Sequence, residues 1–159
     1  MVDSLIILYD HDEEAFTSNG LGALPDAASC TVTEERNGGY EVEMEYPLTG
    51  RHFSDIQKRR ILYVKPNPYD DPQPFRIYSI TKPINGIVTV HAAHLSYDTS
   101  GSIVKLFPAD AGSASAAMSY LKNFSVPSTP FTFFTNVGKS GTMSVPKPSS
   151  IRSLLGGSD

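Results

Sequence analysis

The chain has one cysteine, Cys30, and no tryptophan in 159 residues. A single thiol excludes an internal disulfide and a cysteine-rich metal site. Positive charge is scarce and scattered: 13 Lys and Arg stand against 17 Asp and Glu, for a net charge of −4. A nucleic-acid groove needs clustered cations to displace counterions, so no direct nucleic-acid binding is expected. Long apolar runs are also missing. The apolar start, Leu5 to Tyr9, follows Asp3 and is too short for a secretory core segment. No stretch reaches the roughly 20 apolar residues that span a bilayer. The expectation is a soluble chain, made in a cytoplasm, without membrane insertion.

What is present points to a β-rich domain. Hydrophobic residues make up 40%, enough for a packed core, and 12 Gly with 12 Pro imply many turns and short elements. The length suits one full domain or one and a half small ones. Leu5-Ile6-Ile7-Leu8-Tyr9 reads as a strand covered on both faces, closed by the acidic turn Asp10-His11-Asp12-Glu13-Glu14. "TSNGLGALPD", residues 17–26, is loop punctuation. Ala28, Cys30 and Val32 then alternate with Ser29, Thr31 and Thr33, and Tyr40, Val42, Met44 and Tyr46 alternate with Glu41, Glu43 and Glu45. Asn37-Gly38-Gly39 between the two runs makes a hairpin, which Pro47 ends.

A single helical turn is expected around Phe53, Ile56 and Arg60, a strand over 61–64, and a loop over the proline-rich "KPNPYDDPQP", residues 65–74. Phe75 to Ile80 and Ile87 to Val90 form a second predicted hairpin about Lys82 to Gly86. Composition then changes. Ala114, Ala117, Met118 and Leu121 share one helical face within residues 109–123, with Asp110 or Ser113 as cap and Asn123 as end. "FTFFT", residues 131–135, reads as a strand. Ser149 or Ser150 caps a short helix through Ile151, Leu154 and Leu155, stopped by Gly156-Gly157. The predicted class is mainly β with one or two short helices (β+α). An antiparallel, barrel-like domain over 1–104 precedes a partial, truncated α+β domain over 105–159.

The residues able to carry chemistry fit plainer roles. In a strand, Glu41, Glu43 and Glu45 lie on one face about 7 Å apart, with the apolar residues on the other. A wetted face over a buried one explains them, whereas a cation site would need further convergent oxygens. His91 and His94 follow the run Ile87 to Val90, where a spacing of three means opposite faces. His11 and His52 fall in no ligand pattern. "VGKSGT", residues 137–142, lacks the upstream glycine of a phosphate loop, since Phe133 stands there, and lacks a following helix. Cys30 shares the Val32 face and reads as a small core residue. Asp70-Asp71 between prolines reads as a solvated turn. The residues therefore assign no catalytic, cofactor-binding or metal position and no cofactor. One surplus remains: residues 5–9, 61–64 and 131–134 place apolar groups on both strand faces. Their cover comes either from another chain or from elsewhere in this one.

The ordered segments "TSNGLGALPDAASCTVTEERNGGYEVEMEYP", "FRIYSITKPINGIVTVHAAHLSYD" and "SIRSLLGG" resemble the N-terminal region of phage minor structural proteins, the prophage tail endopeptidase or tail-associated lysin family. The most specific pieces are the Asn19 to Leu24 loop, the Glu34 to Pro47 hairpin and Phe75 to Asp98. The resemblance implies a baseplate-hub fold at a virion tail tip, in which barrel-like domains of three chains form a homotrimeric ring. That ring docks on the distal tail protein and surrounds the path of the tape measure protein. Any peptidoglycan hydrolase of such relatives is expected downstream, so this chain is expected to be structural rather than an enzyme. The alternatives are the N-terminal fragment of a cell-wall endopeptidase and a host-saccharide-binding module.

Overall fold

The computed structural model describes residues 5–36, 38–106, 112–141 and 143–156. The chain divides into two compact units, Met1–Leu95 and Ser96–Asp159. In the first, seven antiparallel strands make one sheet: β1 (Ile7–Tyr9), β2 (Gly22–Ala23), β3 (Ser29–Glu34), β4 (Tyr40–Pro47), β5 (Ile61–Val64), β6 (Gln73–Ile80) and β7 (Ile87–His94). Their order is β2-β1-β5-β6-β7-β4-β3, so the two edge strands are neighbours in sequence. That connectivity forces the sheet to curl. Seven flat strands would hold the edges about 29 Å apart at about 4.8 Å per gap. The chain from Ala23 to Ser29 reaches at most about 22 Å. The sheet is a half-barrel.

Alternation decides which face turns inward. Val42, Met44 and Tyr46 are buried while Glu41, Glu43 and Glu45 are exposed. The inner faces of β5, β6 and β7 meet them with Leu62, Phe75, Ile77, Val88 and Val90. Each such side chain contributes at most about 1.5–3 kcal/mol by leaving water. A one-residue slip of β4 would drive its glutamates into this core, which fixes the register. Tyr46 is anchored at its far end, where its hydroxyl donates to the Arg51 carbonyl at 2.6 Å.

The structure extends and corrects the sequence reading in several places. The second hairpin is longer than predicted. β7 continues past Val90 through Ala92 and His94, because β4 and β6 flank it on both sides and supply ladder partners that weak local propensity does not. β6 begins at Gln73, inside the predicted proline loop. Pro74 lies opposite Tyr63 at a position whose missing N–H faces away from β5, where β7 has already ended at His94. The apolar surplus of β1 and β5 is covered within this unit. Tyr9 and Tyr63 meet edge to face at 5.9 Å, and Phe16 packs on both, at 5.3 Å from each. The predicted strand over 131–135 does not form, and Phe134 is 89% exposed. No ladder partner reaches it among the described residues.

The second unit is built from smaller pieces. β8 (Ile103–Val104), β9 (Ser125–Val126) and β10 (Ser149–Ser150) form a sheet in the order β10-β8-β9. Because Ile103–Val104 pairs with these strands, this unit takes in residues 96–104, which the expected boundary at 104/105 leaves with the first domain. Helix α1 (Ala114–Asn123) buries Ala117 and Leu121. Its cap is Ser113, whose Oγ accepts from the Ala116 N–H at 3.2 Å, while Asp110 lies outside the described residues. Helix α2 (Ile151–Leu154) is capped by Ser150, which accepts from the Ser153 N–H at 3.0 Å. It ends one residue earlier than read, leaving Leu155 48% exposed ahead of Gly156 at φ +91°. Val104, Leu121, Val145 and Ile151 are the buried core here.

Candidate functional site

The outer face of β6, β7, β4 and β3 gathers the polar side chains. Pairing sets Glu43 between Thr31 and His91, and Glu41 between Thr33 and Ala93. His91 Nδ1 stands 3.6 Å from Glu43 Oε2, an ion-pair separation rather than a hydrogen bond. Between β6 and β7 the register shifts, so that Ile77 faces Ala92 and Ser79 faces His91, leaving Tyr78 without a partner. Such a bulge re-aims a side chain. The Tyr78 ring stacks over His91 at 6.2 Å, and its hydroxyl donates to Glu41 Oε2 at 3.3 Å. Burial, then the negative charge of Glu41, hold the Tyr78 hydroxyl above its ordinary pKa. A recess of about 320 Å³ opens beside this group, lined by Thr33, Glu35, Gly39, Glu41, Val42, Glu43 and His91. It offers carboxylates and hydroxyls as hydrogen-bond acceptors around one histidine.

The edge beside this recess is β3. Its hairpin closes with the Glu35 N–H on the Gly39 carbonyl at 2.8 Å, and Asn37 lies outside the described residues. Alternation from that bond makes Thr33/Glu41, Thr31/Glu43 and Ser29/Glu45 the pairs that exchange hydrogen bonds. The backbone N–H and C=O groups of Cys30, Val32 and Glu34 point off the sheet. The Cys30 side chain packs against the core, and burial pushes its thiol up to about 11. It stays protonated at neutral pH, unlike a nucleophilic cysteine.

A second charged group sits where β1 ends and β5 begins. Asp10, His11 and Asp12 bring donor atoms within 4.8 Å of one another, and all three are exposed. Asp10 accepts from the His11 ring at 2.9 Å and from the His11 N–H at 2.7 Å, and these bonds hold its carboxyl below its ordinary range. Arg60 pairs with Asp55 at 3.5 Å and Asp10 at 3.8 Å, and donates to the Asp55 carbonyl. Arg76 donates to the carbonyls of His11 at 2.9 Å and Arg59 at 2.8 Å. Local hydrogen bonds account for this cluster as a staple between loops. In the sequence this segment is only an acidic turn, because Arg60 and Arg76 reach it across the fold.

The remaining singled-out residues are dispersed. His94 lies on the inner face, opposite to His91 as the spacing required. It stacks on Tyr40 at 4.6 Å, and its Nε2 is 3.4 Å from Gln73 Oε1. Burial holds it below its ordinary pKa. His52, at φ +59°, is 3.2 Å from Asp55 Oδ2. Asp70 belongs to a turn closed by Asn67, which donates to it at 2.6 Å and accepts from the Tyr69 and Asp70 N–H groups. Residues 137–141 have no regular structure, Thr142 lies outside the described residues, and the next helix starts at Ile151. In the sequence His91 and Glu43 belong to separate segments. Only the long-range β4–β7 register brings them together, and no local signal carries it. No family model, curated protein or solved structure matches the chain.

Proposed function

We propose that this chain is a structural component of a siphophage or prophage tail tip. It forms part of a baseplate-hub ring that docks on the distal tail protein, surrounds the path of the tape measure protein and carries downstream fibre or lysin regions. The observation that supports this reading most is the placement of the resembling segments. The Glu34 to Pro47 hairpin and the strands within Phe75 to His94 are adjoining parts of one curled antiparallel sheet, and the Asn19 to Leu24 loop supplies the strand at its opposite edge. A ring subunit needs such a stiff sheet, with a wet outer face and strand edges open to neighbours. Multi-angle light scattering on the chain, alone and with the distal tail protein, tests the reading. A trimer or a stable complex at tens of micromolar is expected. Two monomeric, non-interacting proteins would overturn it, as would peptidoglycan clearing by this chain on a zymogram. A saccharide-binding reading draws on one observation, the bulge that lifts the Tyr78 ring to 49% exposure. Wall-polysaccharide binding that disappears in Tyr78→Ala would favour it instead.

A further inference from the structure

The two ends of the half-barrel differ. β2 offers two residues, whereas β3 offers six in unbroken register with β4. Natural edge strands are usually blunted by proline, lysine, a bulge or brevity. The sequence Ser29-Cys30-Thr31-Val32-Thr33-Glu34 has no proline or lysine, is rich in β-branched residues and carries its one charge, Glu34, at its last position. Its outward N–H and C=O groups at Cys30, Val32 and Glu34 are a template for another strand. The flanking chemistry is asymmetric. On the inner side, Cys30 and Val32 are half-buried against the core. On the outer side, Thr31 and Thr33 are exposed and short, and beyond them stand Glu41, Glu43 and Glu35 around the recess.

We propose that β3 receives an extended segment of a partner protein in which basic and apolar residues alternate. The segment adds as an eighth strand. Its apolar side chains continue the inner face beside Cys30 and Val32. Its lysines or arginines pass over Thr31 and Thr33 towards Glu41 and Glu43, one strand further on, about 10 Å from the incoming backbone. Charge selects this occupant over a second copy of the chain. Residues 29–35 contain two glutamates and no lysine or arginine. In a β3–β3 pairing the adjoining outer rows would be Ser29, Thr31 and Thr33 of each copy, which bring no cation towards Glu41 and Glu43, whereas a basic strand does. The inference goes beyond the tail-tip reading and does not depend on it.

Fluorescence anisotropy with the full chain and labelled, capped peptides tests this directly. A peptide of alternating lysine and valine is expected to bind, and to weaken as salt rises. The glutamate–valine counterpart should bind at least roughly tenfold more weakly, as should the lysine–valine peptide to Glu41→Gln/Glu43→Gln. N-methylation of the amides on alternate residues, in either phase, should abolish binding in the phase that faces β3. Val32→Pro, which removes an outward N–H, should do the same. If that variant fails to fold, the N-methylated peptides on the unaltered chain decide the point. Equal binding of the acidic peptide, or of both N-methylated forms, overturns the proposal. So does a dimer in sedimentation that the lysine–valine peptide cannot displace.

Discussion

The two units solve the same problem with different means. The first has strands of up to eight residues, a continuous buried cluster and side chains sorted face by face. Among the described residues, the second holds three two-residue strands, a ten-residue and a four-residue helix, and a small core cluster around Val104, Leu121, Val145 and Ile151. In the first, backbone ladders and alternating burial reinforce each other over long stretches. In the second, short pairings depend on caps and on a few well-placed side chains, such as Arg152, whose guanidinium lies 3.7 Å from the centre of the Tyr97 ring. Length of regular pairing, more than apolar content, separates the two.

Core truncations sharpen that contrast most. Phe75 and Leu121 are both fully buried. Phe75→Ala should cost about 3–5 kcal/mol and Leu121→Ala about 2–5 kcal/mol by urea unfolding. Hydrogen exchange should then tell the units apart. The Phe75 variant should accelerate exchange through β4 and β7, and the Leu121 variant through residues 114–123 while β4 and β7 stay slow. Equal acceleration of both regions by either variant would break the comparison.

A smaller effect is expected at Gly22 in the first unit. Its φ is +146°, and an added Cβ would meet His52 Nε2 at 2.5 Å. Gly22→Ala should destabilise by about 1–3 kcal/mol. Adding His52→Ala would relieve the clash but not the backbone strain, so the double variant should recover only part of the loss. Full recovery would show that the strain is absent.

The mildest expectation concerns acid. His94 lies in the first unit, so its protonation should act there. His94 is held below its ordinary value of 6.5 by burial. The unfolded chain therefore takes up a proton there before the folded one does. The stability this neutral group contributes is fully present above about 6.5 and is lost as pH falls towards the lowered folded value. The slope from this one site cannot exceed about 1.4 kcal/mol per pH unit. His94→Gln should flatten it, as read from urea midpoints across that range. An unchanged slope would remove His94 as the cause.

The same contrast explains what was legible in the sequence. Period-two patterning fixed which face of β4 is buried, because Val42, Met44 and Tyr46 leave no other register. The caps were readable to within two candidates each, Asp110 or Ser113 and Ser149 or Ser150, because capping is local, and the structure selects Ser113 and Ser150. Illegible features depend on distant partners. β7 reaches His94 only because strands lie on both sides, and "FTFFT" stays irregular because aromatic content without a ladder partner does not make a strand. The outer-face group was invisible for the same reason. Tyr78 reaches Glu41 through a bulge that no residue pattern announces, and the Glu43–His91 pair follows from a register between segments more than 40 residues apart.

Central to this account is a stiff half-barrel whose last strand is half-bonded and open. Residue-resolved amide exchange by NMR along β3 measures that property directly. Slow exchange is expected at Thr31 and Thr33, whose N–H groups bond to β4, alternating with fast exchange at Cys30, Val32 and Glu34. Uniformly slow exchange across all five in the isolated chain would mean that the edge is already paired, and would contradict the account.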